Sequence, residues 1–143
     1  MNSKSLRTVI SGSYRRHLKE LYKLKNQLET LGIDVLSPVG SFALNPTEEF
    51  VFLDADPVHD KRLLQDSVFG KIRTSTFLVL ANFDGYMGKA ALMEIGYALS
   101  FGLQILTVEP VEDPNIGLYT RLIDDVFPNL RSLQRRQEVP CEL

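Results

Sequence analysis

Cysteine is nearly absent: Cys141 is the only one in 143 residues. No intrachain disulfide framework and no cysteine-based zinc site can form, so a reducing compartment is the expected setting. Histidine is almost as scarce. His17 and His59 share no ligand spacing with each other or with Cys141, so both read as helix-surface residues and no metal is assigned. An excess of charge of one sign is missing too, since 16 basic against 18 acidic residues leave a net charge of -2. That balance lacks the basic footprint that grips a nucleic-acid polymer, although a nucleic-acid monomer remains a fitting ligand. Long hydrophobic runs are also lacking. The longest charge-free one, Ile95 to Val108, contains Gly102 and Gln104 and is shorter than the about 20 residues that cross a bilayer. The segment Met1 to Ser5 carries no apolar stretch of the secretory kind, so a cytoplasmic location and no membrane partner are expected.

The length fits one domain, taken as residues 1–143, and 44% hydrophobic with 24% charged residues is a globular balance. Thr8-Val9-Ile10 reads as a buried strand that stops at Ser11-Gly12-Ser13. Leu18, Leu21, Leu24, Leu28 and Leu31 then recur every three or four positions, which predicts an amphipathic helix over Arg16 to Leu31 with Gly32 behind it. Ile33 to Leu36 gives a second strand, closed by Ser37-Pro38, and a turn-rich stretch long enough to cover something follows to Asn45-Pro46. Asp56-Pro57 has the chemistry of a helix start, so a second helix is expected from Pro57 toward Ile72. Phe77 to Ala81 is a third strand, Ala90 to Phe101 a third helix, and Ile105 to Val108 a fourth strand. Leu118, Leu122, Ile123 and Phe127 predict a last helix before the polar tail from Gln134.

Strands that alternate with helices imply parallel pairing, because parallel strands need crossovers that helices supply. The expected fold is an α/β three-layer sandwich, Rossmann- or flavodoxin-like, with a parallel sheet of four to five strands. Ligands of such sheets bind beyond the carboxyl ends of the strands, where the strand order reverses. The loops Gly12-Ser13-Tyr14-Arg15-Arg16 and Asn82-Phe83-Asp84-Gly85 are predicted to meet there.

One residue breaks the apolar pattern. Between Ala90 and Leu99 the only charge is Glu94. A carboxylate on a mostly buried helix either shifts its pKa or is held by donors, and such groups gather at functional sites. The bland alternative, a surface glutamate, requires an exposed stripe one residue wide. Near a sugar C1′ such a carboxylate can stabilise, or trap covalently, the oxocarbenium-like state through which an N-glycosidic bond breaks.

The run from Phe77 through Gly85 to Met93-Glu94-Ile95-Gly96-Tyr97-Ala98, a strand, a loop and a Glu-x-Gly-x-Ala helix, resembles the nucleoside 2-deoxyribosyltransferases and the related deoxynucleoside 5′-monophosphate N-glycosidases. The likeness spans Ile10 to about Val108. It implies that Glu94 is the nucleophile, that Asp66 contacts sugar or base, and that Ser11, Gly12, Ser13, Tyr14 and Arg15 form a loop that holds the sugar and a 5′-phosphate. It also implies a homo-oligomer in which a neighbour completes the site; Asp113 to Tyr119, which follows the fourth strand and so leaves the sheet at its ligand end, is the candidate crossing segment. The chain departs from the family at Gly88-Lys89-Ala90-Ala91, where an acidic or hydroxyl residue is common, and near Thr76, where an aspartate is common.

The remaining candidates come from position. Tyr14 is expected to orient Glu94 through its hydroxyl, and Asp84, with Asn82 and Gly85 in the same loop, to bind a sugar hydroxyl or assist the leaving base. Arg15, Arg16 and Lys89 are placed to meet a phosphate near helix N-termini. Gly88-Lys89 is not a P-loop, because Phe83 and Ala90 stand where that motif needs glycine and a hydroxyl residue. Met87 and Met93 read as loop and core filling, and Arg131 to Arg136 as a solvated helix end. The expected ligand is a nucleoside or nucleotide, handled without a cofactor by transfer to another base or to water; a module that binds a nucleotide without turnover is the non-enzyme alternative.

Overall fold

The structure is a computed structural model that describes residues 5–130; Cys141 and the basic run from Arg131 lie outside them. Five parallel strands form one sheet: β1 (Arg7–Ser11), β2 (Asp34–Ser37), β3 (Phe77–Leu80), β4 (Gln104–Thr107) and β5 (Thr120–Leu122), in the order β2-β1-β3-β4-β5. The helices are α1 (Tyr14–Thr30), α2 (Lys61–Arg73), α3 (Lys89–Ser100) and the short α4 (Ile123–Val126). This is the expected flavodoxin-like sandwich. Its strand order reverses between β1 and β3, where Val9 pairs with Leu78 and Ser11 with Leu80.

Alternation along the strands builds two cores. Ile10, Phe77, Val79 and Leu106 face Leu21, Leu24 and Leu28 of α1 together with Ile123, while Val9, Leu78, Leu80 and Ile105 face Ile72 of α2 and Ala91, Ile95 and Ala98 of α3. Both faces of β3 are buried. A central strand sandwiched in this way has no polar face, which is why Phe77 to Ala81 reads as an unbroken apolar run.

Local chemistry moves several boundaries. Ser13 caps α1 by accepting the Arg16 N–H at 3.1 Å, so the helix begins at Tyr14, ahead of the expected Arg16. The expected start of α2 at Pro57 is four residues early. Asp60 is the cap, accepting the Leu63 N–H at 3.0 Å, whereas the Asp56 carboxylate accepts the Leu53 N–H at 2.7 Å and closes a turn instead. The last helix is corrected as well. A 3₁₀ turn (Ile116–Tyr119) leads into β5, paired with β4 from Ile105–Thr120 to Thr107–Leu122, and helix follows only from Ile123, as Ile123–Val126 and again at 128–130. Pairing with the open edge of β4 satisfies backbone groups that a helix there would leave on an unprotected strand.

Between β2 and α2 the chain folds back on itself. Leu44 N–H donates to Phe52 O at 2.8 Å and Asp54 N–H to Phe42 O at 3.0 Å, around a bridge between Ala43 and Leu53. The Asp54 carboxylate accepts the N–H groups of Ser41 and Phe42, which holds its pKa below the usual aspartate range. α1 anchors the base of this segment, with the Tyr22 hydroxyl donating to Val39 O and the Lys25 ammonium to Pro38 O, both at 2.7 Å. Among the described residues no helix is long and apolar enough to cross a membrane, and no three His, Cys, Asp or Glu side chains cluster as metal ligands would.

Candidate functional site

A cleft of about 870 Å³ opens at the β1/β3 switch point. Its walls are the β1–α1 loop from Gly12 to Arg15, the end of β2 at Ser37 and Val39, the folded-back segment at 48–57, the inner face of α2, and the start of α3 with Tyr86 before it and Glu94 within it. Gly12 lets the first wall lie against the sheet, since a Cβ there would stand 2.9 Å from Leu21 Cδ2 and 3.2 Å from both Ala81 Cβ and Ala81 O. A side chain would push the loop into the cleft.

Glu94 is 8% exposed and still lines this cleft. Its carboxylate accepts two hydrogen bonds, Ser11 Oγ on Oε1 and Gln65 Nε2 on Oε2 at 2.8 Å. Burial pushes its pKa above the usual glutamate value, and the Gln65 and Ser11 donors pull against that shift by favouring the ionised form. The acceptor geometry fixes both oxygens. α3 supplies the residue, the last residue of β1 supplies one donor, and α2 the other.

Tyr14 also lines the cleft, but its hydroxyl shares a 3.1 Å hydrogen bond with Ser37 Oγ at the end of β2, so the groups that orient Glu94 are Ser11 and Gln65. Burial chiefly, and then the charges of Glu94 and Asp56, push the Tyr14 pKa far up, although the Ser37 bond opposes them. Tyr22, just below, is pushed up to about 12, chiefly by burial and then by Asp54 and Asp56.

No protein-family model matches the chain, and no curated protein does.

The cleft gathers Gly12, Ser13, Tyr14, Arg15, Gly88, Lys89 and Glu94 of the candidates named from sequence. It leaves out five. Asp66 is exposed on the outer side of α2 and pairs with Arg62 at 3.7 Å, a solvated i,i+4 contact. Asp84 points to solvent; its N–H donates to Glu109 Oε2 at 2.7 Å, its carboxylate lies 3.6 Å from His17 Nε2, and Gly85 completes the turn at φ 74°. Asn82 is buried and ties this loop to the segment just after β4, accepting the Glu109 N–H at 3.0 Å and donating to Glu109 O at 2.9 Å. Arg16 stacks its guanidinium 4.0 Å above the Tyr86 ring centroid. Tyr86, in turn, lines the cleft, so Arg16 braces a wall from behind. Asp113 to Tyr119 does not line the cleft of this chain.

Of the two histidines, His59 is exposed as expected but lies outside a helix, whereas His17 is largely buried. His17 is 12% exposed at a non-helical point of α1 and packs on Phe83, and His59 precedes α2 and packs on Phe52. Met93 faces solvent at 53% exposure and is not core filling. Met87 packs against the α2–α3 core.

Ser37, Gln65, Asp56 and Lys71 were not singled out from the sequence, and Ser11 was named only as part of the sugar-holding loop, not as a partner of Glu94. Ser11 carried a weak signal, as a hydroxyl at the end of a strand that leads to the switch point. The other four belong to elements whose partners the linear sequence does not specify.

Proposed function

We propose that the protein cleaves or exchanges the N-glycosidic bond of a nucleoside or nucleotide, with Glu94 as the carboxylate that attacks C1′. The observation that carries this reading is Glu94 itself: nearly buried, in no ion pair among the described residues, fixed by Ser11 and Gln65, and facing a cleft large enough for a nucleotide. A carboxylate kept for structure alone would be expected in an ion pair under a closed surface. Here two neutral donors hold it while its charge is left uncompensated, which suits a group that must meet a developing oxocarbenium charge. The glycosyl-enzyme then passes its sugar to water or to an incoming base.

Arg15 and Lys89 line the cleft at the first turns of α1 and α3, where helix dipoles add to their charge. This pairing favours a 5′-monophosphate over a free nucleoside. We also propose a homo-oligomer, because Leu92, Met93 and Phe101, 42%, 53% and 51% exposed, leave the outer side of α3 apolar. Light scattering coupled to size exclusion tests that assignment.

Chromatographic release of free base from ribo- and deoxyribonucleosides and their 5′-monophosphates, with and without an acceptor base, tests the activity. Wild type should release base and Glu94→Ala should not. A dependence on acceptor assigns transfer, and release without one assigns hydrolysis. If wild type cleaves nothing while titration calorimetry shows that nucleotides bind, the protein is a binding module and the proposal fails.

A further inference from the structure

The reaction proposed above has a second half that neither Asp66 nor Asp84 can serve, because both lie outside the cleft. The leaving base must take up a proton, and the water or acceptor base that displaces Glu94 must lose one. Three other carboxylates line the cleft: Glu48, Glu49 and Asp56. Glu48 and Glu49 are exposed on the rim, and Glu48 is held by the Asn45 side-chain amide. Asp56 is half-buried and more firmly placed.

Its placement comes from the chain's own backbone. Asp56 N–H donates to Leu53 O at 3.1 Å, and Leu53 N–H donates back to Asp56 Oδ2 at 2.7 Å. Leu53 is 1% exposed, so this reciprocal pair is rooted in the packed part of the segment. Oδ1 makes no hydrogen bond among the described residues. Asp56 shares the cleft lining with Tyr14, Lys71 and Glu94.

We propose that Asp56 is the acid–base residue of this site, giving a proton to the departing base and taking one from the incoming water or base. The assignment rests on the N-glycosidic reading. In the first step the Glu94 carboxylate forms a bond to C1′, the C1′–N bond breaks with its electron pair on the base nitrogen, and the Asp56 carboxyl proton goes to the base. In the second step the attacking water or base N–H gives its proton to the Asp56 carboxylate as it bonds C1′, and the Glu94–C1′ bond breaks with its pair returning to Glu94. One proton leaves Asp56 and one returns.

The test compares an ordinary purine nucleoside or 5′-monophosphate with its 7-methylated form, whose base departs without a proton. Asp56→Asn keeps an acceptor for Leu53 N–H. It should lose about 10²–10⁴-fold on the ordinary substrate. On the methylated one it should release a burst of one base per site and leave a glycosyl-enzyme, visible by intact mass, that azide resolves. Asp56→Glu, which keeps a carboxylate, should recover part of the ordinary reaction, and it carries the test if the asparagine variant melts early. Equal losses on both substrates without a burst, or wild-type turnover by Asp56→Asn, would overturn the Asp56 assignment alone, provided wild type is active and Glu94→Ala is not. If wild type releases base from neither substrate, the N-glycosidic reading fails and this assignment falls with it.

Discussion

Gln65 Nε2 and Glu94 Oε2 lie 2.8 Å apart, joining α2 to α3 across 29 residues of sequence. With Ser11 on the other oxygen, the carboxylate is held in one orientation by donors from two different elements, β1 and α2. Removing either donor should therefore affect the charge state as well as the geometry. A hydrogen bond to a charged group contributes about 1.5–3 kcal/mol, so Ser11→Ala and Gln65→Leu should each lower kcat/KM by roughly 10- to 100-fold. The acid limb of the pH–rate profile should move to higher pH in both, because the donors lost are those that favour the ionised form. An unmoved limb in both variants would detach these residues from Glu94 ionisation.

Glu94→Gln gives a stability test that needs no substrate. The folded-state pKa of Glu94 is raised, chiefly by burial, so the folded state binds this proton more tightly than the unfolded chain. The contribution to stability is fully present below the ordinary glutamate pKa and is lost as pH rises through the raised value. An amide can keep both contacts without the charge. Thermal melts from pH 4 to 8 should show Glu94→Gln inactive and relatively more stable toward neutral pH, with the advantage fading in acid. A variant less stable at every pH would mean that the charge is compensated by something other than the two donors.

Asp54 should behave in the opposite sense. Its pKa is depressed by the Ser41 and Phe42 N–H donors, so its contribution is present above the unfolded value and lost as pH falls through the folded one. Hydrogen exchange should show Ser41 and Phe42 amides losing protection, relative to the β3 amides, as the carboxylate protonates. Asp54→Ala should abolish that pH dependence.

Gly12→Ala should reduce activity by crowding rather than by chemistry. The added Cβ meets Leu21 and Ala81, two buried side chains, and the Ala81 carbonyl. Overpacking of this kind costs about 1–3 kcal/mol, which denaturant titration measures directly. Base release should fall along with it.

Asp66→Asn and Asp84→Asn should each leave kcat/KM within about twofold, since neither carboxylate lines the cleft and exposed ion pairs contribute at most about 1 kcal/mol. A larger loss for Asp66 would point to a second arrangement of α2 when substrate is bound.

Much of this protein can be read along the chain. The unbroken apolar runs at Phe77 and Ile105, the leucine spacing of α1 and the glycine turns between them determine a parallel α/β sandwich, because each run can bury itself in only one kind of layer. The same logic isolates Glu94, whose charge interrupts an otherwise apolar helix. Boundaries moved where two local signals compete. Asp56-Pro57 and Asp60 both offer a cap, and the spacing of Leu118, Leu122, Ile123 and Phe127 suits a helix as well as a strand followed by a turn. The partners of Glu94 were not legible, since nothing in the spacing of Ser11, Gln65 and Glu94 says that their side chains converge. Nor could Asp66 and Asp56 be told apart by type: one carboxylate faces solvent beside Arg62 and the other faces the cleft. Sequence decides which segments must be buried, because burial depends on composition and period. Which polar groups meet is decided only when helices rotate to pack their apolar faces on the sheet, and that rotation is a property of the whole core.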